Sequence, residues 1–114
     1  MTYTNTDVAQ ISPSALRQWS QFKQRLRWVL QLTQTEDDGE ATHDWWAETL
    51  TREVGSVHPS TISRWKNPKL QAAPNALYLM GIERIRKDEI HVAWLLGFAE
   101  PVTDDERFIE RKIK

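Results

Sequence analysis

The feature that most constrains the fold of this chain is a glycine and a proline that separate two short apolar patterns between residues 50 and 69. Leu50 and Val54 stand four residues apart, so a helix would place both on one face. Gly55 follows at once, where helices commonly end, and Pro59 suits the first position of a new helix, which does not need its N–H. The pattern therefore predicts a helix, a short turn and a second helix.

The second of these helices has one apolar side and one side of hydrogen-bond donors. Ile62 and Trp65, three residues apart, form the apolar side, which we expect to hold this helix on the preceding one. Two helices of this kind, joined by a turn, are typical of the helix-turn-helix, a DNA-binding unit whose second helix enters the major groove. The remaining positions carry small polar and cationic side chains: Ser60, Thr61, Ser63, Arg64, Lys66 and Asn67.

A resemblance to a known family rests on residues 60–66, which read Ser-Thr-Ile-Ser-Arg-Trp-Lys. This run resembles the recognition helix of lambda-repressor-like domains, which include the Cro/CI and XRE-type regulators, and it is similar to the same segment of phage CII-type activators. In that family the preceding helix usually reads Leu-Ala-x-x-Leu-Gly, and Thr51 stands here in place of the alanine. The turn, residues 56–58, is longer than the usual one by about one residue. The specific match covers residues 50–69, and order and spacing extend it loosely over about 15–97.

The resemblance implies an all-α fold, a compact five-helix lambda-repressor-like helix-turn-helix domain with an extended first helix and a short C-terminal helix. We accordingly divide the chain into a flexible N-terminal arm at 1–12, a DNA-binding domain at 13–98 and a C-terminal helical extension at 99–114. Capping residues and apolar spacing predict helices at about 13–32, 43–54, 59–67, 75–86, 89–96 and 104–112.

Local signals indicate where several of these helices begin. Ser12 precedes a proline at the first helical position, Asp88 is a plausible N-cap for the fifth helix, and Thr103 with Glu106 forms a capping box. Gly81, inside the fourth helix, indicates either a close approach of a neighbour or a break. The predicted core comprises Leu16, Trp19, Phe22, Leu26, Val29 and Leu30, then Trp46, Ala47, Leu50 and Val54, then Ile62 and Trp65, then Leu77, Met80 and Ile85, and last Ile90, Ala93, Trp94 and Leu96. The final helix carries Phe108, Ile109 and Ile113, and we expect it to pack against the first or fifth helix, in the same chain or in a partner.

Composition excludes several classes of protein. A chain of 114 residues suggests one domain, and 39% hydrophobic with 27% charged residues is typical of globular proteins. The chain has no cysteine, which excludes a disulfide framework and a thiolate metal site and is compatible with the cytosol. No apolar run is long enough for a membrane span, and the N-terminus lacks the features of a secretory signal. We therefore expect a cytoplasmic protein without a membrane partner.

The charge is unevenly distributed. A net charge of −1 is a mild argument against nucleic acid, because many DNA-binding domains are basic. However, acidic residues crowd between Glu36 and Glu48, and cationic residues cluster on either side of them. The two basic groups are Arg17, Lys23, Arg25 and Arg27, and Arg52, Arg64, Lys66 and Lys69.

No motif supports catalysis or a cofactor. There is no Gly-rich phosphate loop, and His43, His58 and His91 lack the spacing of metal ligands. The acidic stretch at 33–43 is either a solvated loop or a metal loop, and the second interpretation fails because the calcium-loop pattern with its distal glutamate is absent. We therefore predict a non-enzyme with no metal, no cofactor and no evident small-molecule ligand.

The resemblance places the DNA-binding residues on helix 59–67 and its flanks. Pro59, Ser60 and Arg64 are the candidates for base edges, and an arginine can bind guanine through two hydrogen bonds. His58 has two interpretations, a phosphate contact or a cap at the loop end. The candidates for other groove or phosphate contacts are His58, Thr61, Ser63, Lys66, Asn67 and Lys69.

The partner predicted in this way is double-stranded DNA. One such domain contacts about half a site, so we expect a homodimer or higher homo-oligomer, with the first helix and the helix at 103–113 as candidate interfaces. The alternative is a protein–protein docking module of the same fold without specific DNA binding, because fold alone does not establish function.

Overall fold

A computed structural model describes residues 11–35 and 39–113. Within these ranges the chain forms α-helices and no β-strand, so the all-α class is confirmed. Most of the predicted N-terminal arm and the central acidic residues 36–38 lie outside the described residues. The helices are α1 at Pro13–Leu32, α2 at His43–Glu53, α3 at Pro59–Lys66, α4 at Ala76–Ile85, α5 at Val92–Leu95 and α6 at Asp104–Ile113.

Helix α1 begins where its local signals predict. The Ser12 hydroxyl accepts a hydrogen bond from the Ala15 N–H at 3.1 Å, and Pro13 occupies the first helical position. The second half of α1 supplies Phe22, Leu26, Val29 and Leu30 to the core.

The first half of α1 corrects the prediction of its core face. Leu16 is 54% exposed and Trp19 is 37% exposed, although both follow the apolar spacing. The whole segment 11–21 is exposed. Apolar spacing describes one face of a helix, but it does not show how far along that face another element extends, and here the packing begins at Phe22.

Helices α2 and α3 pack against each other, and α3 also packs against α1. Thr42 caps α2 by accepting from the Trp45 N–H at 3.0 Å. Trp46 is fully buried and donates its indole N–H to the Leu30 carbonyl at 3.0 Å, while the neighbouring Trp45 ring is half-buried. Of these two adjacent rings, Trp46 therefore lies in the core and Trp45 at its margin.

Helix α4 presents a different face to the core from the one predicted. Leu77 is 64% exposed and Met80 is 54% exposed, whereas Leu79, Gly81 and Ile82 are buried. Gly81 decides this orientation, because a Cβ atom at its position would lie 2.5 Å from Val54 Cγ2 of the segment that follows α2. Close approach at Gly81 turns the 79–82 face inward and leaves Leu77 and Met80 outside.

Helix α5 is shorter than predicted and has a different cap. Lys87 and Asp88 adopt left-handed backbone conformations, with φ of 50° and 65°, so Asp88 ends the α4 region instead of opening a helix. His91 is the N-cap residue, and the Glu83 carboxylate accepts from the Val92 N–H at 2.8 Å. Gly97, with φ of +85°, lies just beyond the helix end. Ile90 and Trp94 are buried, but Ala93 is exposed and Leu95 takes its place in the core.

Helix α6 opens with the predicted capping box and packs on α1. The Thr103 hydroxyl accepts from the Glu106 N–H at 3.1 Å, and the Glu106 carboxylate accepts from the Thr103 N–H at 3.1 Å. Ile109 is buried, whereas Phe108 is exposed. No helix in the described ranges is both long enough and apolar enough to cross a membrane.

Candidate nucleic-acid interface

Helix α3 is anchored on one side and open on the other. Ile62 is fully buried, and Trp65 is buried with its ring centroid 5.6 Å from that of Tyr78. Both anchors are the residues that the sequence pattern assigned to the core. Of the predicted contact residues, Ser60, Ser63 and Arg64 are exposed and Thr61 is half-buried. The helix thus presents a short polar surface that the core holds rigidly from behind.

The start of α3 is closed by a histidine cap. His58 Nδ1 accepts from the Ser60 N–H at 3.1 Å and lies 2.9 Å from the Ser60 hydroxyl. Pro59 is the first helical residue and needs no such partner. The capping interpretation of His58 is therefore observed, while a phosphate contact by its exposed ring stays a prediction.

Arg64 lies on the exposed side of α3. Its Nη2 is 3.4 Å from the Thr61 hydroxyl, one turn earlier on the same helix. No described carboxylate lies within ion-pair distance of Arg64. A guanidinium held this loosely keeps its paired donors available for a ligand.

The end of α3 borders a shallow groove between this helix and α1. Asn67 Oδ1 accepts from the Lys69 N–H at 3.0 Å, which bends the chain after the helix. The groove contains three cationic side chains, and sequence reasoning did not place Arg27 there because α1 is distant in the chain. The groove is lined by Arg27, Gln31, Glu40, His43, Ser63, Lys66, Asn67, Pro68 and Lys69.

Carboxylates border the opposite end of α3. Asp44 and Glu48, both exposed on α2, line a depression that also includes Pro59. Arg52 pairs with Glu48, four residues earlier on α2, at 3.4 Å, but both side chains are largely in water and the pair contributes little. Around α3, carboxylates therefore outnumber cations near its start, where Arg52 also lies, and cations outnumber carboxylates near its end, where Glu40 also lies.

The basic cluster expected on α1 is not a surface cluster. Lys23 and Arg25 are buried, and only Arg17 and Arg27 are exposed. Arg25 pairs with Glu110 of α6 at 2.7 Å. Lys23 donates to main-chain carbonyl groups at the end of α3, and burial lowers the pKa of its ammonium group. Charge counting along the sequence missed this because it cannot distinguish a solvated cation from one that satisfies carbonyl groups in the interior.

Comparison with known proteins adds no assignment. No protein-family model, no curated protein and no solved structure matches this chain.

Proposed function

We propose that this chain is a sequence-specific DNA-binding transcriptional regulator of prokaryotic or phage type, with a lambda-repressor-like helix-turn-helix that reads the major groove with helix 59–67. One observation carries the proposal. Helix α3 buries Ile62 and Trp65 and leaves Ser60 and Arg64 on its exposed side, next to the cationic groove at its end. A helix that reads base edges needs this division between anchor and contact residues.

Base reading is assigned to the exposed side of α3. Pro59 and Ser60 lie at its start, and Arg64 lies just over one turn further on. Arg64 is the side chain that can donate two hydrogen bonds to guanine O6 and N7, a contact that contributes about 1–3 kcal/mol of discrimination. The short side chains of Ser60 and Ser63 allow the helix to approach the bases closely.

Phosphate binding is assigned to the cationic end of the surface. Lys66, Asn67 and Lys69 border the groove, and Arg27 joins them from α1. Such contacts fix the register of the protein on the duplex and carry no sequence information directly. The net charge of −1 does not oppose this assignment, because phosphates respond to local charges, and Arg27, Lys66 and Lys69 line the groove against one carboxylate, Glu40. The carboxylates Asp44 and Glu48 lie toward the other end of α3. His58 and Thr61 complete the set of candidate contacts.

A homodimer on paired half-sites is part of the proposal. The experiment is the selection of bound duplexes from a random pool, followed by sequencing of the enriched DNA. We expect a paired motif whose half-sites are about 10–10.5 base pairs apart or a multiple of that spacing. A pool without enrichment would contradict sequence-specific binding. The matched control is Arg84→Ala, which removes an exposed cation from α4, outside the candidate interfaces, and should leave the selected motif unchanged.

A docking module of the same fold is the second candidate, and exposed apolar side chains favour it. Leu77 and Met80 project from α4, and Phe98 is 76% exposed. The tryptophans give it less support, because among the six only Trp19 is exposed. A salt series separates the two candidates. The logarithm of DNA affinity should fall linearly with the logarithm of salt concentration, whereas apolar docking should barely respond.

A further inference from the structure

A lysine in the middle of α1 is withdrawn from solvent and donates to three main-chain carbonyl groups. Lys23 is 0% exposed. Its Nζ lies 3.3 Å from the Arg64 carbonyl oxygen and 2.8 Å from the Trp65 carbonyl oxygen, and it also donates to the carbonyl of Ala72. An ammonium group has three donors and no acceptor, so these contacts use its full capacity.

Two of these carbonyl groups belong to the last turn of α3. The last carbonyl groups of a helix lack partners within the helix, and a cation is favourable at this end. Because helix α3 has eight residues, the carbonyl groups of its last turn are a large fraction of all its carbonyl groups. The third carbonyl belongs to the connector between α3 and α4. Lys23 therefore joins three separate segments at one point.

The position of Arg64 makes this arrangement relevant to the exposed surface. The carbonyl group of Arg64 faces Lys23 in the interior, whereas its side chain is exposed on the face assigned to base reading. Lys66 follows two residues later and borders the cationic groove. A shift of the last turn of α3 relative to α1 would move the side chains of Arg64 and Lys66, even if Ile62 and Trp65 stayed buried.

We propose that Lys23 is a positioning residue for DNA binding. It fixes the last turn of α3 against α1 and so sets where the Arg64 and Lys66 side chains meet the duplex, without contacting DNA itself. This inference rests on the proposed function. Neither the count of charges along the sequence nor the exposed face of α3 indicates this role for Lys23, a buried residue of α1.

The test compares Lys23→Met with the parent protein on a selected duplex and on the same duplex with the guanine facing Arg64 replaced. Methionine keeps an unbranched side chain of similar length and removes the three donors. Per folded molecule, we expect the affinity of Lys23→Met for the matched duplex to fall about tenfold, the scale of a lost preorganised contact. We also expect the ratio of matched to mismatched affinity to decrease. The salt slope should stay that of the parent, because Lys23 neutralises no phosphate.

The matched control is Arg84→Met, which also removes one positive charge but at an exposed position on α4, outside the two candidate interface helices. It should keep the affinity ratio of the parent. Fractions of folded and binding-competent protein are measured by stoichiometric titration, so a purely structural role of Lys23 would lower the competent fraction and leave the affinity ratio unchanged. That result would overturn the positioning role.

The remaining outcomes are also decisive. If the parent binds no duplex, the proposed function falls and this inference falls with it. If the parent binds and Lys23→Met keeps both its affinity and its ratio, only the role of Lys23 is overturned. If Lys23→Met does not fold, the ¹⁵N-labelled parent replaces it. Its Lys23 ammonium should give a slowly exchanging NMR signal that shifts when DNA binds, and rapid exchange or an unshifted signal would overturn the inference.

Discussion

The guanidinium of Arg25 on α1 and the carboxylate of Glu110 on α6 form a largely buried ion pair, with 2.7 Å between Nε and Oε1. The same Glu110 oxygen accepts from the indole N–H of Trp94 on α5 at 2.8 Å. The last helix is thus tied to the first helix and to α5 through one carboxylate. Because both ionic partners are shielded from water, the loss of either one leaves the other without compensation.

Glu110→Met should therefore destabilise the protein by about 3–5 kcal/mol, the range for breaking a buried pair. The double variant Arg25→Met, Glu110→Met should be less destabilised than the single variant, because it leaves no unpaired charge in the interior. Urea denaturation of the parent and the variants measures both values. A double variant that loses the sum of the two single losses would show that the pair contributes no coupling.

Gly81→Ala should destabilise the protein by about 1–3 kcal/mol, as overpacking does. In an open helix the same change stabilises by about 1 kcal/mol, so the sign itself is informative. The expected clash is with Val54 Cγ2, 2.5 Å from the position of the added Cβ. Thermal denaturation measures the change, and the Val54→Ala background is the control. If Gly81→Ala were as unfavourable in that background as in the parent, Val54 would not be the obstacle.

Glu106 should make stability depend on acid pH. Burial alone would raise the pKa of this carboxyl group, but main-chain N–H groups of Val102, His91 and Thr103 and the ring of His91 hydrogen-bond to it and hold the pKa below its ordinary value. Because the pKa of Glu106 is lower in the folded state, its carboxylate stabilises the fold at pH values above the ordinary pKa of a glutamate. This stabilisation is lost as the pH falls through the lower pKa of the folded state.

Glu106→Gln should therefore be less stable than the parent at neutral pH, by about 1–3 kcal/mol. The difference should shrink as the pH falls below about 4.3, the ordinary pKa of glutamic acid. Chemical denaturation at a series of pH values measures it, with Glu100→Gln at an exposed position as the control. A difference that is constant across the series would rule out the carboxylate form as the source of the stability.

Arg64→Ala and Lys66→Ala should weaken DNA binding in different ways. Two residues apart on a helix, these side chains point about 200° apart, so both cannot face the bases. Arg64→Ala should relax the preference at one base position, a guanine, by about 1–3 kcal/mol. Lys66→Ala should weaken binding to all duplexes alike and flatten the salt slope by about one unit.

Binding curves on matched and mismatched duplexes at several salt concentrations distinguish the two variants. Equal losses on both duplexes for Arg64→Ala would make Arg64 a phosphate contact and remove the proposed placement of α3 in the groove. If neither variant changed binding, the exposed apolar residues Leu77 and Met80 would become the place to look for a protein partner.

Features that depend on a few neighbouring residues could be predicted from the chain alone. The start of α1 after Ser12 and the capping box of Thr103 and Glu106 are hydrogen bonds that close within three residues. The inward direction of Ile62 and Trp65 also follows from spacing, because α3 has a single apolar side. Gly97 marks the end of α5 through its own backbone conformation.

Features that depend on how far a helix from elsewhere in the chain covers a surface, or on which face it contacts, could not be predicted. Leu16 and Trp19 continue an apolar stripe beyond the element that covers it, and the face of α4 is set by contact between Gly81 and Val54. Asp88 is a good capping residue by type, but the chain there adopts a left-handed conformation.

The sequence by itself determined the all-helical class, the main helix boundaries and the division of α3 into an anchored side and a polar side. The tertiary structure alone decided which cations face solvent. Lys23 and Arg25 are buried because acceptors 41 to 85 residues away in the chain, at Arg64, Trp65, Ala72 and Glu110, meet them in the fold. The physical reason is that a charged side chain is stable in the interior only where oriented partners replace water, and those partners come from other elements.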